Sequence, residues 1–243
     1  MPKEFPYLGE HEHFVFPPVS EAGVEGVLAV GGNMSPGMLL SAYRQGVFPW
    51  YSPGDPILWW SPHPRFVLLP EDFHVSRSLR KSVRRSEFTV TFDTEFDSVV
   101  AACGETPRPG QRGTWITDEI MEGYGCLHRL GYAHSVEVWR SEDLVGGLYG
   151  VSLGACFFGE SMFSRVTDAS KVGFVFLMEF LVTHKCRLVD CQVYTEHLAS
   201  FGADEIPRSE FLSLLAEALE APDLPDSWYG LVPTDLEAIN LGT

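Results

Sequence analysis

The second half of the chain carries a regular succession of apolar patterns that predicts its secondary structure. Apolar residues that recur every three to four positions indicate helices, whereas alternation or short apolar runs between turn residues indicate strands. The predicted order is two helices, three strands in series, a long helix, a strand and two further helices. These elements cover residues 94–104, 117–131, 133–140, 144–154, 155–164, 168–185, 187–194, 195–202 and 209–219.

The first half is richer in turns. Residues 1–34 read as irregular structure with short strands, and the tail after Pro222 is expected to be loose. Ser35, Ser76, Thr94 and Thr117 have the side chains that favour a helix N-cap. The elements predicted before residue 94 are helices over 35–46 and 76–86 and strands over 65–70 and 88–93.

This order of elements resembles the acyltransferase fold of the GNAT type, an α+β fold with a mixed sheet flanked by helices. That sheet is splayed between its fourth and fifth strands, which exposes backbone to the acyl substrate. The strands at the splay would here be 155–161 and 188–192. Glu160 and Asp190 would then end adjacent strands beside one cleft.

A coenzyme A donor is not expected. Acyltransferases of this type hold the coenzyme's pyrophosphate with a glycine-rich turn, R-x-x-G-x-G/A, at the helix after the fourth strand. The corresponding stretch here is SRVTDASKVGF, residues 164–174, and it has no paired glycines. We therefore expect the fold to be combined with a different acyl donor.

Two strand segments carry the candidate catalytic groups. Glu160 lies in the apolar stretch FFGESMFSR, where a bare carboxylate is costly, so it either faces solvent or occupies a pocket that receives a cation. Asp190 and Gln192 are two residues apart on a predicted strand and therefore share a face. Asp190 is either a strand-end carboxylate bonded to a turn or a partner of Gln192 and Glu160. Cys191 faces the other way and is expected to be a small core residue.

Positive charge is concentrated in one short part of the sequence. The net charge of −16 argues against a nucleic-acid partner, yet residues 63–85 contain six Arg or Lys against two acids. Five of these cations lie in the predicted helix 76–86, which is either a solvated face or a contact for a polyanion. In so acidic a chain we favour the polyanion contact.

The remaining composition bears on the cellular environment. No apolar run approaches the 18 residues of a membrane span, and the N-terminus lacks the apolar region of a signal peptide. The five cysteines form no C-x-x-C pair, which favours reduced thiols over a zinc site. We expect a cytoplasmic protein without a membrane partner.

Nine stretches, taken together and in order, resemble the leucyl/phenylalanyl-tRNA–protein transferase family. They are LLSAYRQGVFPW, ILWWSPHPR, SRSLRK, GTWIT, GYAHSVEVW, LVGGLYGV, FFGESMFSR, DASK and DCQVYTEHLASFGADEIPR. The resemblance runs from about residue 26 to residue 219. It implies a small N-terminal α+β domain, set here at 1–62, and a GNAT-like catalytic domain over 63–243.

The resemblance also implies an activity. The family moves Leu or Phe, and Met less well, from aminoacyl-tRNA to the α-amine of proteins with N-terminal Arg or Lys, which forms an N-end-rule degradation signal. The donor ester is already activated, so no ATP, metal or other cofactor is expected, and we expect a monomer. Two rivals stay open: a peptidoglycan-type aminoacyltransferase, which usually carries two copies of the fold, and a non-catalytic tRNA-binding module.

The family's functional residues fall on identifiable positions of this sequence. Asp190 would orient Gln192, whose carbonyl would align the attacking nitrogen, and Glu160 would meet the cation of the acceptor's first side chain. The substrate-binding positions implied are Trp50 and Trp115 for the tRNA 3′ end and aminoacyl group, and Leu148, Phe157, Met162 and Phe176 for the apolar pocket. The implied tRNA-binding positions are Arg77, Arg80, Lys81 and Arg84.

Overall fold

The computed structural model of the protein describes residues 5–85, 87–106 and 116–236. The described strands are β1 (Val27–Val30), β2 (Phe48–Pro49), β3 (Leu58–Trp60), β4 (Arg65–Leu68), β5 (Thr89–Phe92), β6 (Ala133–Arg140), β7 (Asp143–Leu153), β8 (Cys156–Ser164), β9 (Leu188–Gln192) and β10 (Asp204–Ile206). The described α-helices are α1 (Pro36–Arg44), α2 (Arg77–Arg84), α3 (Phe96–Glu105), α4 (Asp118–Arg129), α5 (Ala169–Thr183), α6 (Glu196–Ala199) and α7 (Arg208–Leu219).

Seven of these strands form one mixed sheet in the order β10-β4-β9-β8-β7-β6-β5. Strands β5 to β8 are antiparallel neighbours in chain order, which confirms the predicted meander. Strand β9 pairs parallel with β8 on one side and antiparallel with β4 on the other. The predicted adjacency of the two segments that carry Glu160 and Asp190 is therefore confirmed. The remaining strands form a small sheet, β1-β3-β2.

Helices cover both faces of the large sheet. Successive residues of a strand point to opposite faces of a sheet. Accordingly, Phe158 of β8 packs in the apolar cluster that includes α1, α3, α4 and α7. Its neighbour Phe157 packs in the cluster that includes α2 and α5. We call these two sides of the sheet the α4 face and the α5 face. Helix α5 is apolar almost all round because its interior residues are buried there.

Two of the four predicted caps are confirmed. The hydroxyl of Ser76 accepts the N–H of Leu79, and that of Thr117 accepts the N–H of Ile120. Ser35 occupies the N-cap position of α1, but its side chain makes no capping hydrogen bond. The prediction for Thr94 is wrong, because α3 begins at Phe96. The hydroxyl of Thr94 instead donates to the carbonyl of Phe92 at 3.2 Å, so it closes the turn that follows β5.

The tail is more ordered than expected. Trp228 is fully buried and stacks on the His134 imidazole with a centroid distance of 4.1 Å and an interplanar angle of 2°. Its backbone N–H donates to Asp93 Oδ2 at 2.9 Å. The expectation of a loose tail after Pro222 is therefore wrong as far as Trp228, because one large apolar side chain fixes the segment to the α5-face core.

The architecture agrees with the predicted fold class at the level of a mixed α+β protein, with a mixed sheet between helices. The closer assignment to the GNAT type and the boundary between residues 62 and 63 stay predictions. The core of the α4 face extends across that boundary, since it contains Tyr43 and Trp59 together with Tyr124 and Phe158.

Replacing Trp228 by Ala should lower the free energy of unfolding by about 3–5 kcal/mol, the usual cost of emptying a buried aromatic site. Chemical denaturation followed by circular dichroism measures the change. Tyr229→Ala is the matched control, since Tyr229 is 70% exposed in the same segment, and it should change stability by less than about 0.5 kcal/mol. Equal effects of the two substitutions would contradict the anchoring role of Trp228.

Candidate active site

Two irregularities of the sheet meet at Glu160. The parallel pairing of β8 with β9 ends at Phe158 and Asp190. On the other side of β8, Gly150 pairs with Gly159 and Tyr149 pairs with Ser161, so Glu160 is left over as the extra residue of a bulge. The chain at Glu160 is thus free of regular pairing with β9 and displaced from the β7 ladder.

The bulge changes which way the following side chains point. Bulges commonly re-aim a side chain next to a functional site. Here Phe158 and Glu160 both face the α4 side, and Met162, two residues further, packs against the α5-face cluster. Glu160 was expected to end its strand, but β8 continues to Ser164, so this expectation is wrong in detail. The carboxylate lies at an interruption within the strand.

Three donors surround the carboxylate of Glu160. The hydroxyl of Tyr43 lies 2.7 Å from Oε1, and that of Tyr124 lies 2.7 Å from Oε2. Gln192 Nε2 donates to Oε1 at 2.8 Å. Helices α1 and α4 and strand β9 therefore converge on one acid.

The protonation equilibrium of Glu160 is shifted by this environment. Burial raises its pKa to about 7, although the hydrogen bonds from Tyr124, Tyr43 and Gln192 pull the pKa down. The negative charge of Asp190 adds to the rise. A carboxyl group with such a pKa can give or take a proton near neutral pH, which an ordinary glutamate does poorly.

Asp190 is completely buried and held by one arginine. Arg65 Nε donates to its Oδ1 at 2.8 Å, and Arg65 Nη2 donates to its Oδ2 at 2.6 Å. The guanidinium lies between the rings of Phe48 and Phe211, 4.7 and 4.5 Å from their centroids. The negative charge of Asp190 is therefore neutralised inside the protein.

The same aspartate fixes Gln192. Its Oδ1 accepts the Gln192 backbone N–H at 2.9 Å, and Gln192 has a φ of 65°, in the left-handed region that non-glycine residues rarely adopt. This bend ends β9 and carries the Gln192 amide to Glu160. Asp190 thus holds Gln192 through the backbone, and its role in orienting the Gln192 amide for the reaction stays a prediction.

The four predicted pocket residues come together on the α5 face. Leu148 and Met162 are cross-strand neighbours in β7 and β8. Leu148 and Phe157 are buried, and Met162 and Phe176 are half-buried against the same cluster. This apolar set and the hydrogen bonds of Glu160 lie on opposite faces of the sheet, and both involve residues of β8 next to its bulge. Their role in binding an aminoacyl side chain stays a prediction.

Of the two tryptophans assigned to the tRNA end, Trp115 lies outside the described residues. Trp50 follows β2 and is half-buried, with its ring 5.5 Å from that of Trp60. The indole N–H of Trp60 donates to the Trp50 carbonyl at 2.6 Å, which fixes the backbone of this segment. Trp50 is therefore fixed in place and only partly buried, and its role at the tRNA 3′ end stays a prediction.

The predicted basic helix exists as α2. Its Leu79 is buried in the α5-face cluster, and Ser82 Oγ donates to Asp168 Oδ2 at 2.8 Å beside the start of α5. Arg77, Lys81 and Arg84 are exposed, and Arg80 is half-buried. Arg65 was counted with these cations, but it is buried on Asp190, so it adds nothing to the basic surface.

Reasoning from the sequence missed three residues of the site, namely Tyr43, Tyr124 and Arg65. Each tyrosine lies on the apolar side of its helix, where it reads as ordinary core. Arg65 opens a strand in which the three following residues are buried. A cation in such a position is a usable signal, because a buried charge requires a partner.

Two other features of the described residues bear on the class of protein. No helix in that part of the chain is both long and apolar enough to cross a membrane. Among the same residues, no three His, Cys, Asp or Glu side chains are grouped as a metal site would require.

The sequence matches two family models that together extend over most of this fold. The model described as "Leucyl/phenylalanyl-tRNA protein transferase" matches residues 67–216. The model of that family's N-terminal domain matches residues 32–63. The matched regions include Tyr43, Tyr124, Glu160, Asp190 and Gln192, whereas Arg65 lies between them.

Curated relatives carry the name leucyl/phenylalanyl-tRNA–protein transferase. The one from Syntrophus aciditrophicus is 59% identical over 214 residues, which cover 88% of this chain and 90% of the relative. The one from Myxococcus xanthus is 56% identical over 223 residues, which cover 91% of this chain and 95% of the relative. The one from Nitratidesulfovibrio vulgaris is 53% identical over 222 residues, with coverages of 91% and 95%.

These matches show that the protein is an enzyme of the aminoacyltransferase class. Within that class, the chain belongs to the leucyl/phenylalanyl-tRNA–protein transferase family.

The Arg65–Asp190 pair can be tested by a double-mutant cycle. Arg65→Met and Asp190→Asn should each lower the free energy of unfolding by about 3–5 kcal/mol, because each leaves a buried charge or polar group without its partner. The double variant should be more stable than the sum of the two losses predicts. Urea unfolding of the four proteins measures the coupling, and strictly additive losses would contradict the pairing.

Proposed function

We propose that this enzyme transfers Leu or Phe, and Met less well, from aminoacyl-tRNA to the α-amine of proteins that begin with Arg or Lys. The product would carry an N-end-rule degradation signal, and the enzyme would act as a cytoplasmic monomer. The observation that carries the proposal is the Gln192 amide, oriented by Asp190 and Glu160 at the break in the sheet. It occurs in a chain that matches the family over about nine tenths of its length.

The reaction requires little of the protein beyond holding the donor ester and the acceptor amine in position. The aminoacyl ester is already activated, so attack by an amine needs no ATP. An α-amine with a pKa near 8 is partly neutral at physiological pH and can attack as it is. Holding the two reactants in line can supply a large part of the acceleration. A group that exchanges protons adds about 10²–10⁴-fold.

The Gln192 side chain supports a role in aligning the amine. Its Nε2 is committed to Glu160 at 2.8 Å, so its Oε1 is the atom left to accept a hydrogen bond. An attacking nitrogen that donates to Oε1 would have its lone pair directed elsewhere, toward an ester placed at the bulge. Asp190 would support this geometry through the Gln192 backbone, with Arg65 as its counter-ion.

The apolar set on the α5 face supports a donor side chain that is unbranched at Cβ. Leu148, Phe157, Met162 and Phe176 offer flexible and aromatic walls, which suit Leu, Phe and Met. Val and Ile are wide at Cβ and should fit poorly. Discrimination of this kind is worth about 1–3 kcal/mol per methylene.

Two features support tRNA as the carrier of the donor. Trp50 is only partly buried, and a base that stacked on its ring would gain about 1–3 kcal/mol. Helix α2 presents Arg77, Lys81 and Arg84 on its exposed side, where they would contact the phosphate backbone of the acceptor stem. Trp115 would add a second ring, as the resemblance implies.

The acceptor preference for N-terminal Arg or Lys rests on the family resemblance. The net charge of −16 supports it in a general way, since an acidic protein raises the local concentration of basic N-termini. Glu160 remains the proposed contact for the acceptor, although three donors already share its oxygens. The proposal includes a GNAT-like catalytic domain over 63–243 and a small N-terminal domain over 1–62.

A transfer assay tests the proposed function. Purified enzyme is mixed with labelled Leu-tRNA and peptides that differ only in their first residue. Peptides beginning with Arg or Lys should be labelled, and those beginning with Ala or Glu should not. Leu-tRNA and Phe-tRNA should exceed Val-tRNA or Ile-tRNA as donors by at least about tenfold.

An N-acetylated copy of the Arg peptide is the control for attack by the α-amine, and it should stay unlabelled. Equal labelling of the Ala and Arg peptides would exclude the proposed acceptor rule. Absence of labelling with every peptide would exclude the activity.

Reversing the charge of Arg77, Arg80 and Lys81 to Glu should weaken tRNA binding and flatten its dependence on salt. For every phosphate that the helix no longer neutralises, the slope of log affinity against log salt should fall by about one. Filter binding over a range of salt concentrations measures both quantities. Arg187→Glu, an exposed reversal outside α2, is the control and should leave the slope unchanged. A slope unaffected by the triple reversal would exclude α2 as the tRNA-binding surface.

A further inference from the structure

The contacts around Glu160 form a closed ring of oxygen atoms. The hydroxyl oxygens of Tyr43 and Tyr124 are 2.5 Å apart, and each lies 2.7 Å from a different oxygen of the Glu160 carboxyl group. Both tyrosines are completely buried, whereas Glu160 keeps some exposed surface. The ring therefore communicates with a substrate through Glu160.

The number of protons in this ring determines the charge of Glu160. The ring has three short oxygen–oxygen contacts, and each requires one hydrogen. The two hydroxyl groups supply two. If Glu160 is ionised, both hydroxyls donate to its carboxylate, and the contact between Tyr43 and Tyr124 holds no hydrogen. Two bare oxygens at 2.5 Å repel each other, so the observed arrangement requires a third proton.

A neutral Glu160 supplies that proton and satisfies every contact. Gln192 Nε2 donates to Oε1, which makes Oε1 the acceptor and Oε2 the protonated oxygen. The chain of donation then runs from Glu160 Oε2–H to Tyr124, from Tyr124 to Tyr43, and from Tyr43 back to Oε1. Each hydroxyl oxygen both gives and receives, and chains of this kind strengthen one another.

The groups that surround the ring are consistent with a neutral Glu160. Burial raises the pKa of Tyr43 and Tyr124 well above its ordinary value, and an ionised Glu160 would raise it further, so neither hydroxyl ionises near neutral pH. Tyr149 packs edge-on against Tyr124 with ring centroids 5.5 Å apart. On the β9 side stand Asp190 and its counter-ion Arg65. Glu160 is thus the ring member that titrates.

We propose that the Tyr43–Tyr124–Glu160 ring stores the proton that aminoacyl transfer moves, with Glu160 as the exchanging group and the two tyrosines as positioning residues. This inference rests on the proposed function. A neutral α-amine forms the C–N bond to the acyl carbon while the ester C–O bond to the ribose breaks. The ribose oxygen takes the proton of Glu160, and the surplus proton of the nitrogen returns to the carboxylate. The ring is thereby restored with no net gain or loss of protons.

The resting state is tested directly by following the Glu160 carboxyl carbon through a pH titration by NMR with ¹³C-labelled glutamate. Glu160→Gln assigns the signal. We expect a midpoint near pH 7 in the wild type. Tyr43→Phe and Tyr124→Phe each open the ring and break the chain of hydrogen bonds that only a neutral Glu160 completes, so each should move the midpoint downward. Tyrosines that only donated to an ionised carboxylate would give an upward shift instead, and that result would overturn the proposal. Tyr149→Phe, the same deletion just outside the ring, should leave the midpoint unchanged.

The kinetic role is tested by the pH profile of transfer to an Arg peptide, with rates referred to the neutral fraction of its amine. Because the protonated form of Glu160 is the active one, this rate should fall as the pH rises through the measured midpoint. The fall should shift to lower pH in both ring variants, together with the midpoint. Glu160→Gln has no proton to exchange, so its rate should be about 10²–10⁴-fold lower and should not depend on pH.

Each outcome decides the proposal. A Glu160 midpoint near the ordinary 4.3 of glutamate would overturn it, as would a rate profile that does not move when the midpoint moves. Unfolding curves establish that the Tyr→Phe variants are folded, and Glu160→Gln, a near-isosteric change, provides a second independent variant. A wild-type enzyme that labels no Arg peptide would refute the proposed function, whereas the NMR titration would still decide whether the ring holds a proton.

Discussion

The site depends on the point at which β8 leaves its neighbours. Beyond Phe158 and Asp190 the parallel ladder stops, and on the other side the bulge leaves Glu160 without a partner in β7. A sheet interior normally uses all of its backbone groups in pairing, so it offers nothing to a substrate. The double interruption opens the sheet where helices α1 and α4 can supply hydroxyl groups to Glu160.

This opening is held by a charged pair that contributes more to geometry than to stability. Burying Arg65 and Asp190 is costly, and an apolar pair of similar size would often serve folding as well. What an apolar pair cannot do is accept the N–H of Gln192 at 2.9 Å and keep that residue in its left-handed turn. Arg65 also donates to the Gly46 carbonyl, so the turn after α1, the strand β4 and the end of β9 share one anchor.

Local patterns were enough to predict much of this arrangement, and contacts between distant residues account for the rest. Apolar alternation predicted the strands of the meander, because it depends on each strand alone. The resemblance of the element order to the GNAT fold predicted that the strands of Glu160 and Asp190 are neighbours. The bulge has no such local signature, since Gly159 in a strand fits several irregularities. The Arg65–Asp190 pair joins residues 125 positions apart, and Tyr43 and Glu160 are 117 apart. The position of Trp228 also depends on distant residues, because its contacts with His134 and Asp93 are not indicated by the sequence of the tail itself.

The charges of the site explain how so acidic a protein can receive a polyanion. The chain carries a net charge of −16, yet neither carboxyl group at the sheet opening needs to present a negative charge there. Asp190 is matched by Arg65, and a neutral Glu160 is matched by the ring that holds its proton. The exposed cations of α2 add a region of opposite sign on the other face of the sheet. Because like charges at close range strongly oppose binding, neutral acids at the opening allow a phosphate-bearing 3′ end to approach groups that must still exchange protons with it.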